Sequence, residues 1–176
     1  MAFGNGKCLL GGQKGNGGLG FYASFKPGEK WASNSGIDYA DRTQLLEWFK
    51  TTYSGWDSIW YQLLEHATMP VIPRPIYCVP LDQTWEAQSN LTLLGDAAHV
   101  MPPFAGEGAN TAMFDALELS ECLTSDKYDT LQQAISSYEV SMRKRAVKAA
   151  KQSLANGEQM HSEGALEKML AVFGLK

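Results

Sequence analysis

Apolar and polar residues alternate over two short stretches near the start of the chain. The alternation predicts β-strands at Lys7–Gly12 and Leu19–Lys26, with Phe21, Ala23 and Phe25 on one face of the second. The glycine-rich segment between them, residues 13–17, is typical of a hairpin tip. We therefore predict an antiparallel hairpin.

Helical spacing of apolar residues begins after a polar loop at residues 27–37. Asp38 or Asp41 is expected to cap a first helix, and Asp57 a second, shorter one. The predicted apolar side of the first helix is Leu45, Leu46, Phe49 and Tyr53. That of the second helix is Ile59, Trp60, Leu63 and Leu64.

The middle of the chain favours extended structure. The stretch Met69–Pro80 holds four prolines, which predicts an edge strand or an extended crossover because proline donates no ladder hydrogen bond. Leu91–Leu94 is short and apolar, as expected of a strand that is buried on both faces.

Three further helices are predicted towards the end of the chain, at Thr111–Leu123, at residues 129–156 and at Leu166–Phe173, with Gly157 as the stop of the second. The inward side of the first is predicted to be Met113, Ala116, Leu117, Ser120 and Leu123. That of the second is Leu131, Ile135, Tyr138, Met142 and Ala146.

Charge and composition exclude some functions. A net charge of -4 argues against a nucleic-acid platform, and no apolar run is long enough to cross a membrane. The basic stretch Arg143–Lys151 predicts a solvated helix face. Three widely spaced cysteines fit buried thiols in a reducing cytosol, so we expect a cytoplasmic protein.

The segment Gly15–Gly20 matches the pattern GxGxxG. In a dinucleotide-binding fold this pattern opens a helix, whose amides meet the pyrophosphate. Here the residues that follow alternate like a strand, so we predict a hairpin without a phosphate site.

Residues 91–110 predict a strand, an acidic residue, a rigid loop and the start of a helix. Asp96 stands where the apolar run ends, and a carboxylate there is able to accept hydrogen bonds from sugar-alcohol hydroxyls or to cap a helix. Pro102 and Pro103 stiffen the loop, and the helix start supplies unpaired N–H groups that stabilise negative charge. His99 is interpreted as a hydrogen bonder that anchors the loop. An Asp96–His99 hydrolase is the remote alternative, since no nucleophile is placed beside the histidine.

The string GDAAHVMPPFAGEGAN closely resembles the second flavin motif of class A FAD-dependent monooxygenases, and its flanks most resemble the tetracycline-inactivating members. The resemblance implies an α/β protein, α+β in this fragment: the C-terminal part of a Rossmann-like FAD/NAD(P)-binding monooxygenase with part of the substrate-domain sheet and C-terminal helices. It implies FAD as cofactor and NAD(P)H as co-substrate, which with O2 hydroxylate a small organic, aromatic or tetracycline-like molecule. No catalytic side chain and no metal is implied.

The same resemblance assigns residues to the cofactor and to the substrate. The flavin-binding residues would be Gly95, Asp96, Pro103, Gly106, Gly108, Ala109 and Asn110. Phe104 and Met160 would contact the substrate. Gly20 stands where the tetracycline-inactivating enzymes have a histidine, which puts tetracycline itself in question.

The resemblance also divides the chain. Residues 1–88 would be a partial substrate domain, 89–126 the C-terminal part of the FAD domain and 127–176 the C-terminal helices. The N-terminal half of the proteins in this family, which contains a GxGxxG motif of its own, has no counterpart here. We therefore expect the isolated chain to be inactive, and either to self-associate or to need a complementary N-terminal fragment. The alternatives are a non-catalytic vestigial domain or one piece of a split enzyme.

Overall fold

The first part of the chain forms an antiparallel three-stranded sheet, in which β1 (Ala2–Gly4), β2 (Lys7–Gln13) and β3 (Leu19–Ser24) lie in that order. The computed structural model describes residues 1–172 and Gly174. Gln13 pairs with Leu19, so the predicted hairpin is confirmed. The segment Gly15–Gly20 is its turn and the start of β3, and it opens no helix. The prediction that these residues form a hairpin and do not open a helix is therefore confirmed.

Three helices complete the first compact unit, Met1–Pro75: α1 (Trp31–Asn34), α2 (Arg42–Thr52) and α3 (Ile59–Glu65). α1 lies in a segment that was expected to be a loop. Asp41, and not Asp38, caps α2, because its carboxylate accepts hydrogen bonds from the amides of Thr43 and Gln44.

The core of this unit is aromatic. Its fully buried members are Leu9, Leu45, Phe49, Tyr53 and Leu64. Phe49 stacks on Tyr53 with ring centroids 4.5 Å apart. Leu64 is buried as predicted, whereas Ile59, the first residue of α3, is exposed, contrary to prediction.

The second unit, Ile76–Lys176, is helical and begins with an extended segment. Its helices are α4 (Asp96–His99), α5 (Gly108–Thr124), α6 (Leu131–Met160) and α7 (Ala165–Val172), with a 3-10 turn at Pro103–Ala105. α7 corresponds to the predicted last helix, of which Phe173 lies outside the described residues. Tyr138, Met142 and Ala146 of α6 form the core with Ala98 of α4. No helix within residues 1–172 is long and apolar enough to cross a membrane.

The predicted strand at Leu91–Leu94 does not form. The segment is extended, but no strand pairs with it anywhere in the described part of the chain, and Leu91 is 58% exposed. The prediction of a strand buried on both faces is therefore wrong for this structure, because a strand needs a neighbouring strand to pair its backbone groups.

The predicted inward side of α5 faces outwards. Met113, Leu117 and Leu123 are exposed, whereas Thr111 and Asp115 are buried. Asp115 pairs with Arg145 of α6, and Leu119 and Cys122 pack against the core, so a mixed polar and apolar side of α5 faces inwards.

Two predictions about α6 also need correction. Leu131 is exposed, although the other four residues predicted to face inwards are buried. Gly157 does not stop the helix, which continues to Met160.

The compact units divide between Pro75 and Ile76, earlier than the boundary predicted at residue 88. The predicted boundary between residues 126 and 127 does not divide the second unit, because α5 and α6, which lie on either side of it, pack against each other. The assignment of substrate and FAD domains to these parts stays a prediction.

Candidate functional site

The turn at Gly95 fixes the start of the site. Gly95 is buried at φ 58° and ψ -143°, a conformation that glycine adopts without strain. Its carbonyl accepts hydrogen bonds from the amides of Ala98 and His99, at 2.9 Å each. Its own amide donates to Asp115 of α5 at 3.0 Å. A β-carbon on residue 95 would lie 3.2 Å from the β-carbon of Ala112, so the turn sits directly against α5.

Asp96 follows this turn, and its side chain is exposed. No side chain caps α4, so Asp96 does not cap a helix, which was its alternative predicted role. Within the described chain its carboxylate has no hydrogen-bond or ion-pair partner. An unpaired carboxylate at the surface is available to accept hydrogen bonds from a ligand.

Side chains of α6 hold the proline loop in place. The Ser153 hydroxyl donates to the carbonyl of Pro102 and accepts from the amide of Ala105. Asn156 donates to the carbonyl of Phe104 at 3.1 Å. Gly106 then turns the chain in the left-handed region, at φ 69°. The loop is therefore tied to one face of a long helix, which gives it a single defined path.

The N-terminus of α5 follows the loop. The amide of Thr111 is the first to bond within the helix, to the carbonyl of Glu107. The amides of Gly108, Ala109 and Asn110 have no acceptor among the residues described, as is normal for a first helical turn. They carry the positive end of the helix dipole, so this position suits a negatively charged or electron-rich ligand.

The two residues assigned to the substrate lie at the far end of α6. The half-buried ring of Phe104 packs on Gly157 and meets the ring of His161 edge-on, with centroids 5.5 Å apart. Met160 is buried. Their role towards a substrate stays a prediction.

A charged cluster, formed by the buried His99 and Asp115 and the partly exposed Glu118 and Arg145, contacts the Gly95 turn. Asp115 is fully buried and accepts a hydrogen bond from Arg145 at 2.8 Å, and His99 Nε2 lies 2.5 Å from its other oxygen. Burial raises the pKa of Asp115, but hydrogen bonds from Arg145, His99 and Gly95 outweigh burial and hold the pKa below its usual value. Arg145 also pairs with Glu118 at 2.7 Å.

This cluster settles two interpretations of the sequence. His99 anchors the loop as predicted, and no serine or cysteine of the described chain bonds to its ring, which leaves the hydrolase alternative without a nucleophile. Arg143 and Arg145 are only partly exposed, because they pair with Glu139 and Asp115 and lie over Trp85 and Phe114. Lys144, Lys148 and Lys151 are exposed, as predicted. Sequence reasoning missed the role of Asp115, for which the one local signal is an acid between Phe114 and Ala116 in a helix.

No group of side chains with metal-binding geometry occurs in residues 1–172. The features of the candidate site are a carboxylate, a rigid loop and free helix amides, which all belong to the second unit.

Residues 83–153 match the family model of the FAD binding domain. This segment contains the Gly95 turn, the proline loop, α5 and most of α6, so it includes every predicted flavin residue. The predicted resemblance of this segment to FAD-binding sequences is confirmed by this match.

Several proteins named as monooxygenases are similar in sequence to this chain. The chain is 41% identical over 96 residues to the aurachin C monooxygenase/isomerase of Stigmatella aurantiaca, which covers 53% of this chain and 24% of that protein. It is 33% identical over 113 residues to monooxygenase penA of Penicillium thymicola, covering 58% of this chain and 26% of that protein. It is also 33% identical over 121 residues to the dual O-methyltransferase/FAD-dependent monooxygenase elcB of Phaeosphaeria nodorum, covering 58% of this chain and 12% of that protein. The chain thus spans about a quarter or less of the length of these relatives.

Proposed function

We propose that this chain is part of an FAD-dependent monooxygenase that uses NAD(P)H and O2 to hydroxylate a small organic, aromatic or tetracycline-like substrate. One observation carries the proposal: the segment that matches the FAD binding domain brings an unpaired carboxylate to a turn packed against α5, whose first amides are free. Bound FAD supplies the electron transfer and oxygen chemistry, for which no protein acid or base is needed.

The residues of the second unit fit such a cofactor in three ways. Asp96 would accept hydrogen bonds from the ribityl hydroxyls, since charged acceptors make the stronger bonds. The amides of Gly108, Ala109 and Asn110 would hold the electron-rich edge of the ring, as donors do in an oxyanion hole. The fixed loop through Pro103 and Gly106 lets the backbone approach the ring edge.

The substrate side of the proposal rests on Phe104 and Met160 and on the resemblance to tetracycline-inactivating enzymes. A cytoplasmic location belongs to the same proposal, because the cysteines form no disulfide among the described residues.

A titration of the chain with FAD, followed by flavin fluorescence, tests the cofactor assignment. Asp96→Asn removes a charge at the proposed ribityl contact, whereas Asp126→Asn removes a charge from an exposed turn away from it. We expect Asp96→Asn to weaken FAD binding roughly tenfold to a hundredfold, the range for hydrogen bonds to charged groups. Equal affinity of wild type and Asp96→Asn, with Asp126→Asn unchanged, would contradict the proposal.

We further propose that the chain functions together with a partner, either a complementary N-terminal fragment or a second copy. The support is the exposed apolar side of α5, with Met113 and Leu117, together with the unpaired extended segment Leu91–Leu94. Each of these features is able to bury apolar surface or to pair backbone groups with another chain.

A further inference from the structure

Asp115 joins three elements of the second unit at one buried carboxylate. The residue lies on α5 and is fully buried. Its Oδ2 accepts the amide of Gly95 at 3.0 Å and contacts Nε2 of His99, while its Oδ1 accepts Arg145 from α6 at 2.8 Å. A buried carboxylate with this many donors is a fixed point, since losing any donor leaves part of a charge unpaired.

The bond to Gly95 controls the direction of the chain at Asp96. The amide of Gly95 is held by α5, and its carbonyl is held by the amides of Ala98 and His99 in α4. Both sides of the Gly95 backbone are therefore fixed, in a conformation that a residue other than glycine rarely adopts. The Asp96 side chain leaves the backbone directly after this fixed point.

Asp115 is also rigidly connected to the N-terminus of α5, because it lies on the same helix as Gly108, Ala109 and Asn110. One residue thus links the turn that carries Asp96 to the helix end that carries the free amides. Arg145 is itself held by Glu118 at 2.7 Å and lies over the ring of Phe114, which keeps its guanidinium in place.

We propose that Asp115 is a positioning residue for the cofactor site: it holds the Gly95 turn against α5, and so places the Asp96 carboxylate at a set distance from the α5 amides. The inference rests on the proposed function, and it adds that the affinity of the site for a ribityl-bearing flavin depends on a residue that does not touch it. A residue with only a structural role would affect the stability of the unit without a specific effect on Asp96.

The first test needs no cofactor. Amide hydrogen exchange of the full chain, read by NMR, compares wild type with Asp115→Asn and with the control Glu118→Gln, which removes a carboxylate from Arg145 but leaves the bond to Gly95. Asp115→Asn is expected to speed exchange at Gly95 by about tenfold, because it weakens a charged hydrogen bond. Amides in the middle of α5 should exchange as in wild type, and Glu118→Gln should leave Gly95 protected. If Asp115→Asn fails to fold, Arg145→Lys, which keeps the charge but not the planar fork, should give a smaller increase at Gly95 alone.

The second test uses FAD and the double variant with Asp96→Asn. Asp115→Asn is expected to weaken FAD binding about tenfold, and to add much less than that in the Asp96→Asn background. Lumiflavin, which lacks the ribityl chain, should bind wild type and Asp115→Asn equally.

The two tests separate the two ideas. Unchanged exchange at Gly95 in Asp115→Asn, or full additivity with Asp96→Asn, overturns the positioning role. If wild type and Asp96→Asn bind FAD equally, the proposed function fails, while exchange at Gly95 still decides whether Asp115 fixes the turn.

Discussion

The ring of Phe104 occupies the space that a β-carbon on Gly157 would need. A β-carbon at that position would lie 2.5 Å from Cδ2 of the ring, which is closer than packed atoms approach. This contact explains why α6 tolerates a glycine in its interior, where glycine costs about 1 kcal/mol relative to alanine. Together with Ser153 and Asn156, it brings the proline loop down onto the helix.

Gly157→Ala should therefore destabilise the second unit. Overpacking costs about 1–3 kcal/mol, which offsets or exceeds the gain of about 1 kcal/mol in helix propensity. Denaturant unfolding followed by far-UV circular dichroism measures the change. In a Phe104→Ala background the clash is absent, so the same substitution should be stabilising. A loss of similar size in both backgrounds would show that Phe104 is not the cause.

Protonation of Asp115 should also be visible at the residue scale. Because its pKa is held below the usual value in the folded chain, its contribution to stability is complete above about pH 4, the pKa of an unfolded aspartate. That contribution is lost as the pH falls through the lowered pKa. The difference in free energy of unfolding between wild type and Asp115→Asn should therefore shrink on acidification from pH about 7 to about 3. A difference that does not change with pH would show that the carboxylate gains nothing from its charge.

At the scale of elements, local patterns predicted what depends on near neighbours. The alternation in β2 and β3, the spacing in α2 and the helix start after the proline loop all appear in the structure, because turn chemistry and capping act over a few residues. The outward face of α5 could not be predicted in this way. It depends on Arg145, which meets Asp115 from a different helix.

The same distinction applies to the candidate site. The motif predicted the Gly95–Asp96 turn and the α5 start, which are contiguous in the chain. Nothing local indicated that Ser153 and Asn156 would bind the loop, or that Asp115 would hold Gly95. The strand at Leu91–Leu94 failed for a related reason, because pairing requires a second strand and periodicity alone supplies none.

The cap of α2 provides a test at this scale. Asp41 accepts hydrogen bonds from Thr43 at 2.8 Å and from Gln44 at 3.3 Å. Asp41→Ala should cost about 1 kcal/mol, whereas Asp41→Asn, which keeps an acceptor oxygen, should cost little. Tryptophan fluorescence during denaturation reports mainly on this unit, which contains four of the five tryptophans. Equal losses in the two variants would mean that the side-chain oxygen does not act as a cap.

At the scale of the whole molecule, the second unit leaves much apolar surface uncovered. Met113 is 66% exposed and Leu117 is 54% exposed on α5, and Leu93 and Leu94 are exposed in the unpaired segment. Single exposed apolar residues are ordinary, but α5 exposes several large apolar residues while it buries Thr111 and Asp115, which departs from the usual pattern. The proposed contact with a partner rests on this exposed apolar surface.

A charge placed on this surface should abolish association and leave the fold intact. Sedimentation velocity of wild type is expected to show concentration-dependent self-association, and Leu117→Glu should be monomeric with unchanged helicity. Leu131→Glu is the matched control, because Leu131 is similarly exposed, at 58%, but lies at the start of α6. Equal association of all three proteins would exclude the α5 surface as the contact. If wild type is monomeric throughout, the second-copy form of the proposal is wrong. In that case the surface that a complementary fragment would cover is open in the isolated chain. The complementary-fragment form of the proposal then requires that an apolar dye bind wild type and Leu131→Glu more strongly than it binds Leu117→Glu.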